Sequence, residues 1–141
     1  MRALGIDLGS VRVGIAISDE LGLMAHPRPY LPGGDWPALV EALGSLAKEE
    51  NVDHFVVGLP RQLDGTEGRA ARDARRFALA LGKHTGIEVT LRDEWLTTRE
   101  ARARLAASGK NDKQSRSRVD SAAAAVLLQS WLDARAGARD P

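Results

Sequence analysis

Two short apolar runs split by a tight turn constrain this chain more than any other feature: Ala3-Leu4-Gly5-Ile6-Asp7-Leu8 and Val13-Gly14-Ile15-Ala16-Ile17-Ser18, parted around Gly9-Ser10. Each has strand length and β-branched content, and Gly-Ser between them is turn chemistry, so the chain must begin as a hairpin. A third, weaker strand is predicted over Leu23 to Leu31, with Pro27, Pro29 and Pro32 confining it to a sheet edge because proline cannot donate to a ladder. The period then changes. Asp35 opens a helix to about Glu50 with Leu39, Val40, Leu43, Leu46 and Ala47 on one face. His54 to Gly58 is an apolar strand, and a loop with Asp64-Gly65 as its turn follows. Glu67 to Lys83 is helical by the spacing of Ala70, Ala71, Ala74, Phe77, Ala78 and Leu81, and Ile87 to Arg92 is a strand. Two helices, Thr98 to Ala107 and Arg118 to Ala134, joined by the polar, basic stretch Ser108 to Ser117, complete the chain.

An antiparallel meander passing into alternating helices and strands predicts an α/β fold, a mixed five-stranded sheet with helices on both faces. With 141 residues, 43% of them apolar, the chain has material for one core, so a single domain over residues 1–135 is expected, with residues 136–141 as a flexible tail. There is no cysteine, which excludes disulfides, thiol chemistry and a cysteine zinc site. No apolar run approaches membrane length and no secretory leader is recognisable, so a cytoplasmic protein without membrane contact is expected. The net charge of +1 gives no whole-molecule field, but charge is unevenly placed: residues 1–60 hold 4 basic and 8 acidic side chains, residues 97–141 hold 9 and 5.

Several acids stand where structure makes them costly or informative. Asp7 lies in a strand between Ile6 and Leu8, where it is either a satisfied acid, capping a turn or pairing with Arg12, or a metal ligand. Asp93 and Glu94 end the last strand, and since neighbouring strand residues point to opposite faces, only one of them can share a site with Asp7. Asp120 follows Ser117 by three residues, a variant capping box that explains it structurally, and Thr97 to Glu100 is another. Singly these acids are ordinary. Together they supply a strand, a strand end and a helix start that a mixed sheet can gather, and carboxylates so gathered repel unless a hard cation such as Mg²⁺ or Mn²⁺ joins them. Two such ions can drive in-line phosphoryl displacement without a serine or cysteine nucleophile. Arg69, Arg72 and Arg76 share a helix face, either as a solvated surface or as a phosphate row, whereas Lys110, Lys113, Arg116 and Arg118 crowd the approach to Asp120, where phosphates need cations beside a carboxylate site. His26, His54 and His84 show no ligand spacing.

Four blocks, in order, carry a resemblance that spans nearly the whole chain: Gly5 to Asp19, Val56 to Pro60 with Asp64 to Gly68, Asp93 to Thr98, and Asp120 to Gln129. In them the chain resembles the YqgF/RuvX family of RuvC-like nucleases, which is associated with cleavage of pre-16S rRNA or of Holliday junctions. The resemblance implies an RNase H-like fold, catalytic and metal-binding roles for Asp7, Glu94 and Asp120, Mg²⁺ or Mn²⁺ as cofactor, and a structured RNA or branched DNA substrate. It further implies that the loop from Gly58 to Gly68 borders the active site. Arg12 joins the basic residues above as a nucleic-acid contact. Where the family usually has Arg after the Asp-Glu pair, this chain has Trp95. A resolvase would need a homodimer to cut two strands symmetrically, whereas an RNA nuclease can act as a monomer.

Three other functions fit less well. Asp7-Leu-Gly-Ser resembles the phosphate loop of the sugar kinase, actin and Hsp70 group, but those proteins close two such domains around a nucleotide. A Rossmann site fails because Asp7 would face a pyrophosphate and no G-x-G-x-x-G follows. A non-catalytic nucleic-acid or ribosome-binding module would not need the retained acids.

Overall fold

The opening hairpin forms as its sequence requires. In the computed structural model, β1 (Ala3–Asp7) pairs antiparallel with β2 (Arg12–Ser18), placing Leu4 opposite Ile17 and Asp7 opposite Gly14. The turn between them depends on Gly9, where any Cβ would run into the carbonyl oxygen of Arg12. The structure describes residues 1–62, 64–93 and 112–139, and for residues 112–121 and 138–139 it describes the backbone alone.

Strand β3 (Ala25–Pro32) adds antiparallel to β2 with a register shift between Val13 and Ile15, and it is an outer strand, where its prolines cost no ladder bonds. Helix α1 (Trp36–Glu50) starts at Asp35, whose carboxylate accepts from the Ala38 N–H at 3.1 Å, and stops at Asn51 in a left-handed conformation. The chain then returns to the far side of β1. Strand β4 (His54–Leu59) runs parallel to β1 with Ile6 beside Val57, and after helix α2 (Arg69–Thr85) strand β5 (Glu88–Asp93) runs parallel to β4. The sheet order is β3-β2-β1-β4-β5, the mixed five-stranded arrangement expected. No described helix is long and apolar enough to cross a membrane.

Alternation along the strands divides the core in two. Leu4, Ile6, Phe55 and Val57 point to one face and pack under α1 and α2 against Leu43, Phe77 and Leu81. Ala3, Ala16 and Val56 point to the other and pack against Ala124, Leu127, Leu128 and Trp131 of helix α3 (Asp112–Arg139). Each large apolar side chain buried in this way contributes about 1.5–3 kcal/mol. Helices therefore cover both faces, and β4, buried on both, is buried along its whole length.

Helix α3 corrects two sequence expectations. It begins at Asp112, so residues 112–117, expected to be a connecting stretch, are helical, and it continues through Arg139, past the expected stop at Ala134 and through most of the expected tail. At the start the reason is local, since no glycine or proline interrupts the chain between Asp112 and Ala136; at the end the helix passes through Gly137. The helix expected over Thr98 to Ala107 lies outside the described residues.

His54, buried where β4 begins, is locked from three sides. Its Nε2 is 2.8 Å from Thr90 Oγ1, its ring stacks on Trp131 at 4.5 Å, and Nδ1 is 3.6 Å from Glu88. Burial pushes its pKa below the ordinary 6.5; nearby Glu88 and Asp53 oppose this and Arg135 adds to it. An unfolded chain takes up this proton near pH 6.5 and the folded one only at lower pH, so His54 supports the fold fully above that value. Stability is expected to fall as pH drops through 6.5 toward the folded value. Thermal midpoints of wild type and His54→Gln between pH 8 and 5 test this: about pH 6.5 and below, the wild-type curve should fall more steeply.

Candidate active site

Because β1, β4 and β5 are parallel, their C-terminal ends form one edge of the sheet, the edge where α/β proteins collect ligands. Asp7 is the last residue of β1, partly exposed at that edge rather than interior to the strand. Its face follows from alternation. Ala3 packs under α3, and an added Cβ on Gly5 would meet Leu128 Cβ at 2.9 Å and the Ala124 carbonyl oxygen at 3.0 Å, so positions 3, 5 and 7 share the α3 face. Opposite Asp7 on β2 is Gly14, and one step beyond the Ile6–Val57 pair on β4 is Gly58. The neighbouring strands thus present glycine on both sides of Asp7.

Register also separates the two acids at the end of β5. Asp93 pairs with Leu59, and Leu59, Val89 and Leu91 all belong to the α1/α2 core, which puts Asp93 on the face opposite Asp7. Its carboxylate accepts from Arg61 Nε at 2.8 Å. Asp93 is a paired structural acid. Glu94, like Lys110, lies outside the described residues.

The path of α3 locates position 120. Trp131 stacks on His54 at the start of β4, whereas Ala124 and Leu128 lie over Gly5, so the helix runs backward along the strands as it proceeds. Asp120 lies four residues before Ala124, about 6 Å along the helix axis. Asp7 lies two residues beyond Gly5, about 6.6 Å along the strand. The helix backbone at position 120 is thereby level with Asp7. This position is two turns inside α3 instead of at a helix start, so the capping role that the sequence offered for Asp120 does not apply. The side chains of Lys113, Arg116, Arg118 and Asp120 lie outside the described residues. Asp7 alone of the three expected ligands has a described side chain, and among the described residues no three His, Asp or Glu cluster closely enough to hold an ion.

The loop between β4 and α2 is bound to itself. Gly65 N–H donates to the Gln62 carbonyl at 2.8 Å, making the expected turn, and Thr66 donates to Asp64 Oδ1 through both N–H (3.0 Å) and hydroxyl (2.6 Å). These bonds hold the Asp64 pKa below the usual carboxylate value. Glu67 takes a two-pronged bond from Arg75, Nε at 2.8 Å and Nη2 at 2.7 Å, which lowers its pKa likewise. Arg61, Glu67 and Arg75 escaped the sequence reading because partners eight and thirty-two positions apart leave no periodic signal.

The expected cations divide into engaged and available groups. Arg12 stands 5.5 Å over the ring of Tyr30. Arg69, Arg72 and Arg76 are exposed on α2, and among the described residues no acceptor holds them, in contrast to the engaged Arg61 and Arg75.

A profile of the RuvX family, described as a Holliday junction resolvase, matches residues 1–134. A relative from Anaeromyxobacter sp. (strain Fw109-5), named as a candidate pre-16S rRNA nuclease, is 44% identical over 135 residues, 96% of this chain and 98% of the relative. One of the same name from Synechococcus elongatus is 37% identical over 131 residues, covering 93% and 88%. Among solved structures, Thermus thermophilus RuvC in complex with a Holliday junction superposes with a TM-score of 0.60 at 15% identity, covering 97% and 96% of the two chains. The yeast mitochondrial Holliday junction resolvase gives 0.55 at 11%, covering 95% and 78%. At such identity these structures establish the fold alone, which is RNase H-like.

Proposed function

The chain belongs to the RuvX family, and from that premise we propose that it is a nuclease that hydrolyses phosphodiester bonds in structured RNA, maturing pre-16S rRNA with Mg²⁺ or Mn²⁺ held by Asp7, Glu94 and Asp120. The observation that carries the reading is the setting of Asp7: a carboxylate at the ligand-binding edge, glycine on both sides, under the helix that contains Asp120.

Asp93, committed to the α1/α2 face, is set aside from the ligand set, and Glu94 is the acid that the family resemblance supplies in its place. Strands β1 and β5 are two spacings apart, about 10 Å, and carboxylates at their ends would hold the metal. The donor set suits hard cations. His54, the described histidine nearest this part of the sheet in sequence, belongs to the opposite end of β4, leaving carboxylate oxygens as the ligands that these residues offer. Bound there, Mg²⁺ or Mn²⁺ would activate the attacking water and offset the charge of the leaving oxygen. The protein's own residues align the phosphate. Arg69, Arg72 and Arg76 rise along α2, exposed and with no acceptor among the described residues, as a row suited to successive phosphates, and Arg12 would add a further cation.

Relatives at 37–44% identity named for pre-16S rRNA favour RNA. The profile's own description favours a second reading, a Holliday junction resolvase, which would act as a two-fold homodimer. Presenting purified protein with a pre-16S rRNA fragment and a four-way DNA junction, each with Mg²⁺, Mn²⁺ or EDTA, separates the two. Cleavage of the RNA alone, lost in EDTA, is the expected result. Junction cleavage without RNA cleavage would reverse the substrate assignment, and cutting that persists in EDTA would end the metal mechanism.

A further inference from the structure

The two margins of the sheet are built differently. A strand with one ladder presents a row of backbone donors and acceptors that another strand can join, and outer strands that stay unjoined are blunted by proline or by a bulge. Strand β3 has both: Pro27, Pro29 and Pro32, and the register shift between Val13 and Ile15 where it meets β2. Strand β5 has neither. It pairs with β4 without interruption from Glu88 to Asp93, contains no proline, and among the described residues no strand joins its other side.

The order of its side chains fits one occupant. Thr90 Oγ1 meets His54, which stacks on Trp131, and Arg92 Nε donates to Ser130 Oγ at 3.0 Å, so Glu88, Thr90 and Arg92 lie on the α3 face. Val89 and Leu91 lie on the other. In an antiparallel pair centred on Thr90, a second β5 would set Glu88 opposite Arg92 and Val89 opposite Leu91, twice each and on matching faces. The strand is therefore complementary to itself about a two-fold axis, as a contact between identical surfaces requires. The Glu88 side chain is 78% exposed and open to such a partner.

Helix α2 points to the same axis. Its Leu79, 69% exposed, lines with Arg75, Ala78, Val89 and Leu91 a trough of about 310 Å³ between the helix and β5. A Cβ on Gly82 would lie 3.6 Å from Val89 Cγ2. The helix runs back along the strands, so Leu79, about 4.5 Å before Gly82 on the helix, is nearly level with Thr90, about 3.3 Å beyond Val89 on the strand. An axis through Thr90 thus brings Leu79 of one copy toward Leu79 of the other and sets the two apolar troughs side by side.

We propose that the outer margin of β5 is a self-association surface whose partner is a second copy of this chain, joined antiparallel about Thr90 so that the two five-stranded sheets become one. This does not depend on the chemistry at Asp7. One strand pair and two leucines make a small contact, below the about 1,200 Å² of stable complexes, so association should rise with concentration.

Sedimentation equilibrium of the full chain over a dilution series tests this. The wild-type mass should climb from 15.2 kDa toward twice that value. Glu88→Arg and Arg92→Glu each place two like-charge pairs across the axis and should weaken association by about 10-fold or more, and Leu79→Lys should weaken it as well. The exchanged variant, Glu88→Arg with Arg92→Glu, should regain association. An equimolar mixture of the two single variants should also regain it, because only the mixed pair is complementary, and that recovery shows both variants to be folded. A wild type that stays monomeric at every concentration would overturn the proposal. So would association indifferent to both single substitutions, or a loss that neither the exchange nor the mixture repairs.

Discussion

Asp7→Asn is expected to lower kcat/KM for RNA cleavage by about 10³-fold or more while leaving the chain folded. A divalent ion is worth several kcal/mol of transition-state charge stabilisation, and about 4 kcal/mol is three orders of magnitude in rate. Asn keeps the shape of the side chain and removes the charge that anchors the ion. Position 7 tolerates this structurally because it ends its strand, partly exposed, with glycines at the neighbouring positions. A second readout separates loss of metal from loss of fold. The wild-type melting temperature should rise with added Mn²⁺, since an ion that binds only the native state stabilises it by mass action, and that of Asp7→Asn should not. Wild-type cleavage by the variant would remove Asp7 from the site and with it the proposed chemistry.

Gly5→Ala should place a damaging methyl group between the sheet and α3, costing about 1–3 kcal/mol of stability. Gly5 lies in the middle of the sheet, paired with Ala16 on one side and Val56 on the other, so β1 cannot retreat. The added methyl would stand 2.9 Å from Leu128 Cβ and 3.0 Å from the Ala124 carbonyl oxygen. Neither obstacle is the free end of a flexible side chain, so α3 itself must move out. Asp120 is one turn from Ala124, and the displacement should pass directly to the proposed ligand. Activity is therefore expected to fall further than stability does, whereas a distant core truncation of equal cost, such as Ala74→Gly on the other face, should leave kcat largely unchanged. Urea unfolding together with kcat and KM for both variants decides it. Unchanged stability in Gly5→Ala would mean that α3 rides higher over β1 than these contacts describe.

Much of this architecture could be read from local pattern. The initial hairpin, the outer proline-bearing strand, the Asp35 cap and the Asp64-Gly65 turn each depend on a few adjacent residues, whose steric and hydrogen-bonding preferences are fixed by chemistry within the segment. Helix α3 exceeds its expected bounds at both ends: the polar residues 112–117, without glycine or proline, are compatible with either loop or helix, and past Ala134 the helix runs on through Gly137, so cooperative extension of the helix decides both ends.

The candidate site divides along the same line. Sequence identified Asp7 as an acid needing a reason and stated that Asp93 and Glu94 must part, since both follow from the two-residue period of a strand. Which of the pair faces away from Asp7 was settled by the register of β5 on β4 and by Arg61, partners brought together by crossovers too long for any periodicity to encode. The level of Asp120 over the sheet was likewise set by how closely α3 can approach a glycine in β1. Chain-local forces chose the elements; packing between segments that are distant in sequence chose their faces and edges, and chemistry at a sheet edge depends on the latter.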